Sequence, residues 1–223
     1  MKIKELKIYT QDLSKQTDFY ANKIGLKIFS QTEFEVCFKV GKSLLNFVEN
    51  DNFHPYHFAI NIPSNQVVEA LDWLKSRVTI LKDGTNEIQD FDFDLWNAKA
   101  IYFYDPDKNI VEFIGRKNLG NATDQDFSAN SLMEISEIGI PVNHIESTYT
   151  TLKEISDMEV FDGGFDRFCA IGDETGLFIC INKNIKDWYP TGDKAYSSEF
   201  EIRVEEKDQE FDLEFIDGII KRM

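Results

Sequence analysis

One unit, strand–helix–strand–strand–strand, recurs along this chain, and the recurrence decides what the chain can fold into. The first unit opens with a strand from Ile3 to Tyr9 and a helix start at Asp12-Leu13-Ser14. There a short polar side chain can accept a free backbone N–H. An amphipathic helix runs to about Ile24, Gly25 stops it, and three strand-like runs follow: Leu26–Phe29, Phe34–Val40 and Ser43–Val48. The second unit begins at Tyr56 and runs extended through Ile62. Pro63-Ser64 then leads into a helix with Val67, Leu71 and Leu74 on one face, a 3.6-residue period. Its strands fall near Val78–Leu81, Lys99–Tyr104 and Ile110–Ile114. The third unit starts near Glu134. A shift of 132 positions lays Ile3 on Ile135, Glu5 on Glu137, Leu26 on Met158 and Cys37 on Cys169. Its helix is expected over Glu146–Ile155 and its strands over Glu159–Phe161, Phe165–Ile171 and Leu177–Ile181. A fourth unit looks truncated, with an opening strand Phe200–Val204 and then an acidic C-terminal helix ending in Ile219-Ile220-Lys221-Arg222.

Within the second unit, Ala100–Ile114 reads as a hairpin. Two apolar runs flank Asp105-Pro106-Asp107-Lys108-Asn109, residues that favour turns, and the runs are rich in Tyr, Phe, Ile and Val. A single carboxylate, Glu112, interrupts the second run. A charge there costs several kcal/mol unless it is paired, protonated or bound to a metal, so Glu112 marks a site or a buried pair.

Bulk properties narrow the class. The chain has 223 residues and 42% hydrophobic content with 19 Phe, enough for a sizeable core. A formal net charge of −16 opposes nucleic acid and anionic membrane as partners. The charged start Met-Lys-Ile-Lys-Glu-Leu-Lys does not read as a signal peptide, and no apolar run approaches the ~20 residues of a membrane span. Cys37, Cys169 and Cys180 are widely spaced and odd in number, which fits buried thiols in a reducing cytoplasm.

In order and spacing, these residues resemble the vicinal oxygen chelate superfamily, which contains glyoxalase I, extradiol dioxygenases and bleomycin-resistance proteins. The resemblance rests on Leu6-Lys7-Ile8-Tyr9, Asp12-Leu13, Phe19-Tyr20, Gly25-Leu26, His57-Phe58-Ala59 and Tyr102 through Glu112. It extends more loosely to Gly176-Leu177-Phe178-Ile179 and Trp188-Tyr189-Pro190-Thr191. Lys108 stands where relatives carry Gly, at a left-handed turn position costing on the order of 1 kcal/mol. The resemblance implies an α+β fold of repeated βαβββ modules whose curved mixed sheets enclose a cavity. Residues 1–117 would form a domain of two paired modules and 118–130 a linker. Residues 131–223 would hold a third module, the truncated fourth and the C-terminal helix. A truncated module leaves a sheet edge open to pairing in a homodimer.

The same resemblance implies metal ligands on the first and last strands of paired modules: Glu5, His57 and Glu112, with Asn46 a weak neutral donor at best. Two carboxylates and an imidazole suit Fe, Mn, Ni or Zn and leave positions open for substrate. Glu5 and Glu112 are the candidate catalytic carboxylates, and Lys7, Asn61, Trp96 and Tyr102 the candidate substrate contacts. Glu137 occupies a ligand position in the third unit, but its last-strand partner is Ile179, so no metal is expected there. The plainer alternatives are a histidine held by a backbone carbonyl, a solvated Glu5, and a Glu112 paired with Lys7 or Arg116. His54 and His144 read as surface residues. Three functional readings follow. The first is a metal-dependent glyoxalase- or dioxygenase-like enzyme acting on a small oxygen-rich or aromatic molecule. The second is a metal-free binding protein of the bleomycin-resistance type. The third is an interaction module whose cavity is filled by its own side chains.

Overall fold

The computed structural model describes residues 1–51, 53–91 and 95–223, and among them the fold is α+β, with two open mixed sheets. The first unit supplies β1 (Lys2–Thr10), α1 (Leu13–Asp18, continued by one wider turn over Phe19–Lys23), β2 (Lys27–Gln31), β3 (Glu35–Val40) and β4 (Ser43–Glu49). Asp12 caps α1, its side chain accepting from the Lys15 N–H. The second unit supplies β5 (His57–Ile62), α2 (Val67–Lys75), the short β6 (Ile80–Leu81) and β7 (Gln89–Phe91), and the long hairpin β8 (Ala98–Tyr104) and β9 (Ile110–Arg116). The third supplies β10 (Glu134–Val142), α3 (Ile145–Ser156), β11 (Val160–Gly163), β12 (Phe168–Asp173) and β13 (Gly176–Asn182). In each of these units the first and last strands lie side by side in parallel, β1 with β4, β5 with β9 and β10 with β13. The helix supplies the crossover that such a pairing requires.

The fourth unit differs from expectation. It is a meander of β14 (Phe200–Glu206), β15 (Gln209–Ile216) and β16 (Ile219–Arg222), with no helix. Phe211, Leu213 and Phe215 alternate with Glu210, Asp212 and Glu214, a period of two that buries one face. Lys207-Asp208 and Asp217-Gly218 all have positive φ, the conformation two-residue hairpin turns demand. Acidity favoured a helix reading; the alternation decided for strands.

The strand order links units that are distant in sequence. One sheet runs β16-β15-β14-β1-β4-β3-β2 and joins the fourth unit to the first. The other runs β11-β12-β13-β10-β5-β9-β8-β6 and joins the third to the second. Each sheet thus draws strands from both sides of the 118–130 segment, which packs along the entry to α2 through Asn121, Thr123 and Gln125. The two sheets are clasped where the start of β4 meets β10. Ser43 Oγ donates to the Ile3 carbonyl and accepts from the Ile135 N–H. Gly41, at φ +53°, lets the β3–β4 turn approach so closely that a Cβ would sit 1.8 Å from the Met133 carbonyl. The main core fills the space between the sheets and their helices; a smaller apolar cluster around Ala59, Tyr102, Ile179 and Trp188 lies on the other face of the nine-stranded sheet. That second face holds the site.

Candidate metal centre in the nine-stranded sheet

Three adjacent strands, β10, β5 and β9, build the floor. Ala59 on β5 lies opposite Glu112 on β9 and Glu137 on β10, so both carboxylates project from one row with the smallest side chain between them. His57 lies two residues earlier on β5, on the same face by alternation. His57, Glu112 and Glu137 are all buried, and one ligand atom from each lies within 4.8 Å of the others. His57 Nε2 is 3.5 Å from Glu112 Oε2 and 3.9 Å from Glu137 Oε2.

The protonation pattern follows from the partners. His57 Nδ1 is 3.2 Å from the Ile110 carbonyl. A carbonyl only accepts, so Nδ1 carries the hydrogen and Nε2 turns its lone pair to the carboxylates. Burial holds the imidazole down to about 4, aided by the charge of Lys186 and opposed by the Ile110 bond, so it is neutral at pH 7. Burial raises Glu112 well above the ordinary carboxylate range; the Glu137 charge adds to this, while Arg116 and the Tyr102 phenol oppose it. Burial also raises Glu137, against the pull of Arg116. Arg116 Nη2 donates to Glu137 Oε1, and Arg116 Nε donates to Asn61 Oδ1 at 3.3 Å. Glu137 therefore holds Arg116 with one oxygen and turns the other toward His57.

The donor set fits a divalent cation. It comprises one neutral imidazole with a fixed tautomer and two carboxylates with a free oxygen each, one of them oriented by a buried arginine. The fourth position of the pattern is Ile179, which lines the cavity and donates nothing, leaving that side open.

Above the floor is a cavity of about 390 Å³ lined largely by aromatic groups. Trp188 lies over His57 at 5.0 Å between ring centroids, and Tyr102 packs against Tyr189 at 5.8 Å. Trp96 Nε1 donates to Asp162 Oδ2 at 2.6 Å. Gly139, opposite His57, makes room for the cover: a Cβ there would lie 2.5 Å from the Trp188 ring. A cavity of this kind sets aside the reading of a module filled by its own side chains.

Of the residues singled out in the sequence, His57, Glu112, Trp96 and Tyr102 meet at this cavity. Asn61 stands behind it, donating to Glu134 and to the Glu174 carbonyl and accepting from Arg116. Glu5, Lys7 and Asn46 lie on the seven-stranded sheet. Asn46 Nδ2 donates to Glu5, Arg203 approaches Glu5 at 3.5 Å, and Lys7 pairs with Glu201 at 2.6 Å. Glu5 therefore does not join His57 and Glu112; Glu137 does, because β5 pairs with β10 rather than with a strand of the first unit. The 132-residue repeat already aligned Glu5 with Glu137. Ile179, at the last-strand position of the third unit, spoke against Glu137 as a ligand. His54 is exposed and stacks on Tyr196, and His144 is exposed at the start of α3. The three cysteines are buried and free.

No family model matches the chain, and no curated protein does so either. Solved structures do. A Bacillus subtilis protein provisionally assigned as a dioxygenase aligns over 99% of this chain and 83% of its own, at 13% identity and a TM-score of 0.61. A glyoxalase I variant from Zea mays aligns over 83% of this chain and 69% of its own, at 15% identity and a TM-score of 0.55. Modules, strand order and overall shape together give this chain the fold of the glyoxalase and dioxygenase proteins of the vicinal oxygen chelate superfamily.

Proposed function

We propose that this protein is a metal-dependent enzyme of the glyoxalase or dioxygenase type, acting on a small oxygen-rich or aromatic molecule bound above His57, Glu112 and Glu137. The observation that carries this reading is the convergence of one fixed imidazole and two buried carboxylates at the bottom of an aromatic cavity. A bound Fe, Mn, Ni or Zn ion would supply Lewis-acid stabilisation of charge developing on substrate oxygens.

The chain's own residues supply the rest. Trp96, Tyr102 and Trp188 offer flat apolar faces for a ring and keep water from the floor. Arg116 fixes the orientation of Glu137 from behind. Of the two carboxylates Glu112 is the one without a paired arginine, and it is the group placed to take a proton from an acidic carbon or hydroxyl beside it. Tyr102 stands against Glu112 and steadies its carboxylate. The free, buried thiols suit a reducing compartment, and we place the protein in the cytoplasm.

A second reading, a metal-free protein that sequesters a small molecule, has one observation in its favour. The Arg116–Glu137 pair and a protonated Glu112 leave the cluster electrically balanced without a cation. Elemental mass spectrometry on untagged protein separates the two. Near-stoichiometric Fe, Mn, Ni or Zn in the wild type, lost in His57→Ala and Glu112→Ala, supports the enzyme. A wild type that holds no metal even after reconstitution overturns it in favour of sequestration.

A further inference from the structure

The wall of this cavity contains hydrogen-bond donors that the protein leaves unused. Arg167 directly precedes β12, and Lys186 lies four residues beyond β13. Phe168 pairs with Ile181 across that hairpin, and the Asn182 N–H donates to the Arg167 carbonyl at 3.1 Å. Both cations therefore flank one end of the β12–β13 hairpin, and both line the cavity. Among the described residues neither side chain forms an ion pair or a hydrogen bond. In a chain with a net charge of −16, carboxylates are abundant, and Lys7, Lys75, Lys82 and Lys99, among others, are paired with them. Trp188, which also lines the cavity, carries an indole N–H without a partner on a side chain only 6% exposed.

On the cavity wall Asp162 Oδ2 already accepts from Trp96, and the Tyr189 hydroxyl already donates toward Asp83 and Gln89. Above the floor the cavity thus offers aromatic faces and donors, a combination that calls for an acceptor-rich planar ligand. Both cations line the same cavity of about 390 Å³ whose floor carries His57, Glu112 and Glu137. The span from cations to floor therefore suits a compact molecule.

We propose that the cavity takes a single-ring aromatic acid, its carboxylate held by Lys186 and Arg167, its ring by the aromatic wall, and its other oxygens turned toward His57, Glu112 and Glu137. This substrate class rests on the site reading given above, but the anion-holding pair does not depend on a metal. A protein that sequesters rather than transforms would use the same two cations.

The test is calorimetric binding of matched acids and amides: benzoate and benzamide, phenylacetate and phenylacetamide, 3,4-dihydroxybenzoate and its amide. Each pair is titrated into wild type as purified and after chelation, and into Lys186→Met/Arg167→Met. Both substituted side chains are at least partly solvent-exposed, and circular dichroism and metal content check that fold and centre survive. The expected result is at least one acid bound about tenfold or more tighter than its amide. That preference persists after chelation and shrinks to about twofold in the double variant. Equal binding of acids and amides, an unchanged preference in the double variant, or no binding by any acid overturns the proposal. So does a preference that disappears on chelation, because the metal and not the two cations would then hold the carboxylate. Metal content, read on the same samples, reports separately on the metal-dependent reading.

Discussion

Glu112 and Glu137 stand on either side of Ala59, one strand away in each direction, and this single row across β9, β5 and β10 builds the candidate centre. The two carboxylates come from different units, so the centre exists only where the second unit pairs with the third. Each is stabilised differently. Glu112 relies on protonation or a cation, whereas Glu137 already has Arg116.

Removing Arg116 should expose that dependence. Arg116 is fully buried, and Arg116→Met leaves Glu137 without its partner in the interior. Loss of one member of a buried pair costs about 3–5 kcal/mol. Chemical denaturation of metal-free protein is expected to show a destabilisation of that size, partly recovered on adding the bound metal. A variant as stable as wild type would show that Glu137 does not need the arginine.

Gly139 is expected to control the cavity cover. In Gly139→Ala the new methyl meets the Trp188 ring, so Trp188 must leave its place over His57. Overpacking of this kind costs about 1–3 kcal/mol. The expected readouts are a red-shifted tryptophan emission and weakened ligand binding; an unchanged spectrum with wild-type binding would contradict the packing described.

The hairpin turn of the second unit also anchors the helix of the first. Asp105 accepts from the Asp107 and Asn109 N–H groups, from Asn109 Nδ2, from Gln16 Nε2 at 3.2 Å and from the Tyr20 hydroxyl at 3.0 Å. Asp105→Ala strands these donors in the interior and should destabilise the fold by about 3–5 kcal/mol in urea unfolding. A loss below about 1 kcal/mol would mean that water or repacking replaces the carboxylate.

Thiol chemistry gives a prediction with a clear sign. Burial pushes Cys37 and Cys169 up to about 11 and raises Cys180 well above the ordinary thiol range. The thiolate is the reactive form, so at pH 8 native protein should resist a disulfide-exchange reagent, while denatured protein releases all three thiols. Rapid labelling of folded protein at pH 8 would contradict the burial of these strands.

Much of this was legible in the sequence, for local reasons. The Ala100–Ile114 hairpin, the helix starts and the lone Glu112 are written in short-range pattern and turn chemistry. Lys108 takes φ +64°, the left-handed conformation anticipated for that position. His57 and Glu112 come together because one unit brings its first and last strands side by side. Glu137 was recognised at a ligand position and set aside for its Ile179 partner; its arrival beside His57 and Glu112 depends on β5 pairing with β10, a contact between units that no local pattern encodes. Lys7 and Asn61 satisfied alternation but belong to ion-pair and hydrogen-bond networks outside the cavity. The acidic tail misled for a related reason: its charges drew more weight than the alternation of Phe211, Leu213 and Phe215.

Glu137, and not Glu5, lies beside His57 and Glu112. Titration of Mn or Zn into metal-free wild type, Glu137→Ala and Glu5→Ala reads which carboxylate holds a cation there. Glu5→Ala is expected to bind like wild type and Glu137→Ala to lose at least about a hundredfold in affinity. Wild-type affinity in Glu137→Ala together with loss in Glu5→Ala would contradict that expectation.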